Sequence, residues 1–200
     1  MPKIFINCLT VGSLGTNCWI CASHSPPAAA QTDFFCAVID PGSESNTIIE
    51  YLRKNNLAPQ YILLTHGHFD HVTALPQLAK AFPDAVTAIH REDASYLETD
   101  PGQFLEEGDI VGPLRILHVP GHTPGSVAFH AQEDGVLFSG DTLFRGDRGR
   151  TDLPGGSEPQ LKKSLARLLA MDGSIRVLPG HGRETTIEKE VSRGLGYFFN

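Results

Sequence analysis

A chain of 200 residues with 40% hydrophobic content can bury one sizeable core, and no composition break or long linker divides it, so a single domain over residues 1–200 is expected. Its formal net charge of −7 comes without a basic run, which argues against a nonspecific nucleic-acid or membrane-surface binder and leaves small molecules as the expected partners. Apolar stretches such as Phe34 to Ile39 fall far short of the roughly 20 residues that span a bilayer, and Met1 to Asn7 lacks the features of a secretory signal, so a cytoplasmic protein is the expectation.

Lys3 to Leu9, Asn17 to Ala22 and Phe34 to Ile39 are β-branched and aromatic, and predict three strands of an antiparallel meander. The Pro/Ala-rich stretch from Ser23 to Thr32 reads as a long exposed hairpin loop, with His24 a surface histidine. All four cysteines, Cys8, Cys18, Cys21 and Cys36, fall in or beside these strands. Cys18-Trp19-Ile20-Cys21 has the spacing of a zinc or redox motif, but strand alternation sends the two thiols to opposite faces. Buried free thiols are therefore expected.

Asp40-Pro41-Gly42 ends the third strand, and Ser43 is expected to cap a helix whose Ile48, Ile49 and Leu52 share one face, stopped at Asn55-Asn56. Tyr61 to Leu64 reads as a short buried strand. A helix from Thr73 to Phe82, a strand from Val86 to Ile89 and a short helix from Glu92 to Leu97 follow. Strands at Asp109 to Val111, Leu114 to Val119, Ser126 to His130 and Val136 to Ser139 make a second meander. A Gly-rich loop from Arg145 to Ser157 leads into an amphipathic helix from Pro159 to Met171, with Leu161, Leu165, Leu168 and Leu169 on one face, and Ile175 to Leu178 is a closing strand. Two halves of similar make suggest an α/β fold of two packed sheets with helices outside.

The chemistry concentrates at Thr65-His-Gly-His-Phe-Asp-His71, where His66, His68, Asp70 and His71 fall within six residues on the loop leaving a strand. Three further candidates, His122, Asp141 and His181, each follow an apolar strand and a glycine, which leaves room for close approach to a shared centre. A lone loop histidine is more often only hydrogen-bonded, and a lone Gly-Asp a turn; the weight lies in the joint pattern. Five imidazoles and two carboxylates suit two divalent ions at about 2.0–2.2 Å, zinc most readily, with iron or manganese within reach. His66 and His68 would reach one ion, Asp70 and His71 the other, and Asp141 is able to bridge. His90, His118 and His130 lack that context and read as structural.

These ordered motifs, Asp40, Thr65 to His71, His122, Asp141 and His181, resemble the metallo-β-lactamase superfamily. The resemblance implies a four-layer αββα sandwich of two mixed β-sheets flanked by helices, with a dinuclear site at one edge. It implies His66, His68 and His122 on the first metal, Asp70, His71 and His181 on the second, Asp141 bridging, and Asp40 orienting the ligand loop from behind. Phe138 to Phe144 and Gly149 to Gly156 resemble the short bacterial glyoxalase II-like hydrolases, which are similar to hydroxyacylglutathione hydrolases that split S-lactoylglutathione and related thioesters. Full-length glyoxalase II has a C-terminal helical domain that holds the glutathione, whereas this chain stops about twenty residues after His181. The loop with Arg145, Arg148 and Arg150 is then the best place for an anionic substrate, unless Arg150 is taken up by Asp152.

The expected reaction is thioester hydrolysis by hydroxide generated at the metals, with Asp141 bridging and Asp70 helping to orient the water. Persulfide dioxygenases resemble the chain equally well around Gly149-Arg150-Thr151-Asp152 and would use a single iron held by His66, His122 and Asp141. A noncatalytic module with a structural metal would be free to lose ligands, and all seven are present. RNA-cleaving relatives carry an inserted nucleic-acid domain for which there is no room, and a β-lactamase proper would need a secretory signal.

Overall fold

The computed structural model describes residues 4–23 and 34–194, so Lys3, His24 and most of the Pro/Ala-rich stretch lie outside the described residues. The first sheet takes β1 (Phe5–Val11), β2 (Thr16–Ala22), β3 (Cys36–Ile39), β4 (Tyr61–Leu63), β5 (Val86–His90) and β6 (Gln103–Leu105) in chain order. β1 to β3 pair antiparallel and β3 to β6 parallel. The second sheet contains β7 (Ile110–Val111), β8 (Leu114–His118), β9 (Val127–Ala131) and β10 (Val136–Gly140), antiparallel throughout. A small hairpin of β11 (Leu143–Phe144) and β12 (Asp147–Arg148) follows, then β13 (Arg176–Pro179) joins β10 in parallel and β14 (Thr185–Thr186) closes the edge. The helices are α1 (Ser45–Lys54), α2 (Phe69–Val72), α3 (Leu75–Ala81), α4 (Glu158–Leu169) and α5 (Ile187–Ser192). Among the described residues no helix is long and apolar enough to cross a membrane.

Three apolar clusters give the order of layers. Trp19, Cys21, Ile39, Leu63, Phe129, Phe138 and Leu178 pack between the sheets. Ile20, Val38, Ile62 and Leu64 meet Ile48 and Leu52 of α1 and Leu78 of α3, while Leu117, Leu137 and Val177 meet Leu161, Leu165 and Leu168 of α4. The result is the expected αββα sandwich. β2 is buried along its whole length because it is covered on both faces, Trp19 and Cys21 by the other sheet and Cys18 and Ile20 by helices. The two thiols of the Cys-x-x-Cys therefore do point apart, and all four cysteines are free.

Burial pushes the Cys36 thiol up to about 12 and raises those of Cys18 and Cys21 as well. Cys18, Cys21 and Cys36 are expected to resist a thiol reagent near pH ~8 until denaturant is added, with adducts counted by mass spectrometry; native-state labelling of Cys18 would contradict the packing. The folded state binds these thiol protons more tightly, so their contribution to stability is present below the ordinary thiol value of about 8.5 and is lost as pH rises above it.

Some local expectations need correction. Ser43 does not cap α1; Glu44 occupies that position with left-handed backbone (φ 45°), and its carboxylate accepts the Gly12 N–H at 2.7 Å instead of a helical one. Asp70 and His71 ride on the helical turn α2 rather than on irregular loop, and Glu92 to Leu97 is a 3₁₀ helix spanning Arg91–Tyr96. The sequence does not announce β6, β11, β12, β14 or α5: strands of two or three residues are too short for alternation to show, and a helix of six residues is too short to display an apolar face.

Candidate metal centre

β3, β4, β10 and β13 all end at the same edge of the sandwich, and so does the connection between β8 and β9. β4 leads into His66 and His68, and α2 adds Asp70 and His71; the β8–β9 connection supplies His122, β10 runs into Asp141, and β13 into His181. The structure brings all seven residues together. Donor atoms of His66, His68 and His122 lie within 4.8 Å of one another, as do those of Asp70, His71 and His181, and those of His66, His71 and Asp141. Asp141 stands between the first two sets, with Oδ1 3.5 Å from His71 Nε2 and Oδ2 3.6 Å from His122 Nε2 and 3.5 Å from His181 Nε2.

Hydrogen bonds behind the rings decide which nitrogens face inward. A carbonyl oxygen only accepts, so His122 Nδ1, 2.8 Å from the Arg150 carbonyl, and His181 Nδ1, 3.2 Å from that of Leu14, must carry protons, which leaves both Nε2 lone pairs toward the centre. Asp40 does the same for two more. Its carboxylate accepts the Thr65 N–H at 2.8 Å, the Thr65 hydroxyl at 2.7 Å and His71 Nδ1–H at 3.0 Å, and the Thr65 hydroxyl in turn accepts His66 Nδ1–H at 3.0 Å. His68 turns Nδ1 inward, 2.9 Å from His122 Nε2.

Two anchors escaped the sequence reading. Asp93, fully buried, accepts the Gly67 N–H at 2.9 Å, the Gly125 N–H at 2.7 Å and the Thr123 hydroxyl at 2.7 Å, tying the His66–His68 loop to the His122 loop. Asn17 donates to the carbonyls of Pro179 and Gly182 at 3.0 and 2.9 Å, and Trp19 Nε1 to Pro179 at 3.0 Å, fixing the turn that carries His181 onto the first sheet. The glycines divide by function. A Cβ on Gly180 would lie 2.2 Å from Asp141 Oδ1 and 2.8 Å from His71, so that glycine does serve close approach to the centre. Gly121 does not: its Cβ would meet the Leu161 backbone nitrogen at 2.2 Å, so it makes room for α4.

The electrostatics favour positive charge. Burial first, then the neighbouring imidazoles, push His66 well below its ordinary value, so that ring is neutral. Burial opposes charge on His71 too, but Asp141 and Asp40 outweigh it and raise that ring well above its ordinary value. Asp70 and Asp141 are held below the usual carboxylate range, their burial outweighed by His181 and His71 respectively. His66 Nε2 and Asp141 Oδ1 are buried with no hydrogen-bond partner among the described residues. Orphaned acceptors among converging lone pairs and ionised carboxylates are what a divalent cation requires, so the residues fit one.

A sequence profile of the metallo-beta-lactamase superfamily matches residues 31–181. The chain belongs to the metallo-beta-lactamase superfamily. Among curated members it is similar to the probable metallo-hydrolase YqgX of Bacillus subtilis, 36% identical over 80% of this chain and 85% of that one. It is likewise similar to the hydroxyacylglutathione hydrolase GloC of Haemophilus influenzae, 37% identical over 77% and 83% of the two chains. Three solved structures extend the likeness to the fold. TTHA1623 in a di-iron-bound form is 36% identical with a TM-score of 0.80, covering 92% of this chain and 96% of that one. The BLEG-1 B3 metallo-beta-lactamase is 29% identical with a TM-score of 0.84 over 94% and 97%. ETHE1 from Myxococcus xanthus is 25% identical with a TM-score of 0.79 over 93% and 81%. Superfamily membership makes this protein a metal-dependent hydrolase by class, and its donor set suits divalent ions.

Proposed function

We propose that the protein is a thioester hydrolase of the hydroxyacylglutathione type that works with two divalent ions, zinc first among them. The observation that carries this reading is the pair of donor sets joined by Asp141, with the outer nitrogens of His66, His71, His122 and His181 hydrogen-bonded from behind. His66, His68 and His122 would hold one ion, Asp70, His71 and His181 the other, and Asp141 both. When bound, such a pair polarises a carbonyl and lowers the pKa of a water toward ~7. The likeness to GloC supports a thioester as substrate.

The side chains around the centre have the remaining tasks. Asp70 Oδ2, held by the Thr16 hydroxyl at 3.2 Å and 3.1 Å from His181 Nε2, is placed to orient the attacking water. A thiolate leaves readily, so no strong general acid is demanded. Leu14 and Phe69, 57% and 69% exposed, flank the centre and offer an apolar rim to the substrate. Clefts of about 290 and 210 Å³ meet at Phe69. Of the three loop arginines, Arg148 is paired to Glu158 at 2.6 Å and Arg150 to Asp152 through two 2.7 Å bonds, so Arg150 serves the centre through its carbonyl rather than its side chain. Exposed Arg145, in the β11–β12 turn and without an ion-pair partner among the described residues, is the better contact for a carboxylate of the substrate.

Protein purified without chelators is expected to carry two ions per chain and to hydrolyse S-lactoylglutathione. Dialysis against EDTA should abolish the activity and Zn²⁺ should restore it. One iron per chain, with oxygen uptake on glutathione persulfide and no thioester cleavage, would establish instead the dioxygenase reading on His66, His122 and Asp141.

A further inference from the structure

Two histidines read from sequence as merely structural come together away from the main centre, His90 buried and His118 partly exposed. His90 ends β5 in the first sheet and His118 ends β8 in the second, and their rings stack with 4.1 Å between centroids and 11° between planes. Glu92 completes the group: one donor atom from each of the three lies within 4.8 Å of the others. Glu106 stands beside them, 4.0 Å from His90 Nε2 and 3.9 Å from Arg91 Nε.

The proton positions leave donors free. His118 Nε2 faces the Pro124 carbonyl at 2.9 Å, so it carries the proton and Nδ1 keeps its lone pair, the device already seen at His122 and His181. Its backbone is anchored as well, through a 2.8 Å bond to Glu107, which pairs with Arg167. His90 Nδ1 accepts only the Glu92 N–H, at 3.3 Å, a long contact that a cation would displace. Burial first, and then the His118 ring, push His90 below its ordinary value, so it is neutral and able to ligate near pH 7. One donor atom of each ring already lies within 4.8 Å of the other, and a turn of the His90 ring about χ2 gives up only that long contact while His118 keeps its bond to Pro124. Glu92 is exposed, which gives an ion access from solvent.

We propose that His90, His118 and Glu92 form a second divalent-cation site of the zinc class, separate from the main centre, with Glu106 alongside to offset its charge. It shares no residue with the main centre, and nothing in it depends on the reaction performed there. An ion in it would clip the turn after β5 to β8, beside Asp93 and Pro124.

The test is equilibrium dialysis of the metal-loaded protein against Zn²⁺ alone. Wild type is expected to take up one ion per chain beyond the complement of the main centre. His118→Ala should lose that ion and keep the others, and Glu92→Gln, at an exposed position, should weaken its binding more than about tenfold without changing the melting temperature. No uptake beyond the main centre in wild type, or unchanged uptake in His118→Ala, would overturn the site. Should His118→Ala fail to fold, an unchanged affinity in Glu92→Gln would do the same.

Discussion

Asp141→Ala is expected to lose at least one of two bound ions and roughly 10³-fold or more in kcat/KM, about 4 kcal/mol of barrier. Its carboxylate approaches both donor sets, with Nε2 of His71, His122 and His181 at 3.5 to 3.6 Å. Without it, five imidazoles face one another with only Asp70 to offset a cation. Metal analysis alongside steady-state hydrolysis of S-lactoylglutathione reads both effects. A metal-free Asp141→Ala protein with wild-type hydrolysis would sink the proposed chemistry.

Asp93→Ala is expected to act without touching an ion. The carboxylate is fully buried and accepts from two backbone N–H groups and one hydroxyl on two different loops. Each stranded buried donor costs about 1–3 kcal/mol, so a loss of roughly 3–5 kcal/mol in stability is expected. The loops it joins carry His66, His68 and His122, so metal affinity should fall about 10- to 100-fold, the range for partners that orient ligands. Asp93→Asn keeps one accepting oxygen and should be milder on both counts. Denaturant unfolding and a metal titration measure the two losses separately, and wild-type stability in Asp93→Ala would refute the clamp.

Asp93 also shows where sequence reasoning reaches its end. In Arg91-Glu92-Asp93-Ala94 it resembles any acidic turn residue, and its partners lie 26 to 32 positions away. Asn17 is harder still, with partners 162 and 165 positions off. His66 to His71, by contrast, are legible because the donors are neighbours in sequence, and His122, Asp141 and His181 because each ends an apolar strand behind a glycine. The glycine before the ligand marks close approach to the centre at Gly180 but room for α4 at Gly121, since spacing does not tell whether a neighbouring backbone or a shared centre fills the space. The two meanders were readable from alternation. The parallel return of β13 onto β10, with α4 lying between them in sequence, was not, because strand order is decided by packing over α4.

The main centre draws on both sheets at once. His66, His68, Asp70 and His71 belong to the first, His122, Asp141 and His181 to the second, and backbone bonds from Asn17 to Gly180 at 2.7 Å and from Val127 to Thr65 at 2.8 Å already cross the same line. Any ion held by either proposed set of three therefore spans a seam between two halves of the molecule. Its binding free energy becomes part of their mutual adhesion, about 2.7 kcal/mol when free metal stands a hundredfold above Kd. Metal supply would then govern how long the halves stay joined as well as how fast the enzyme turns over.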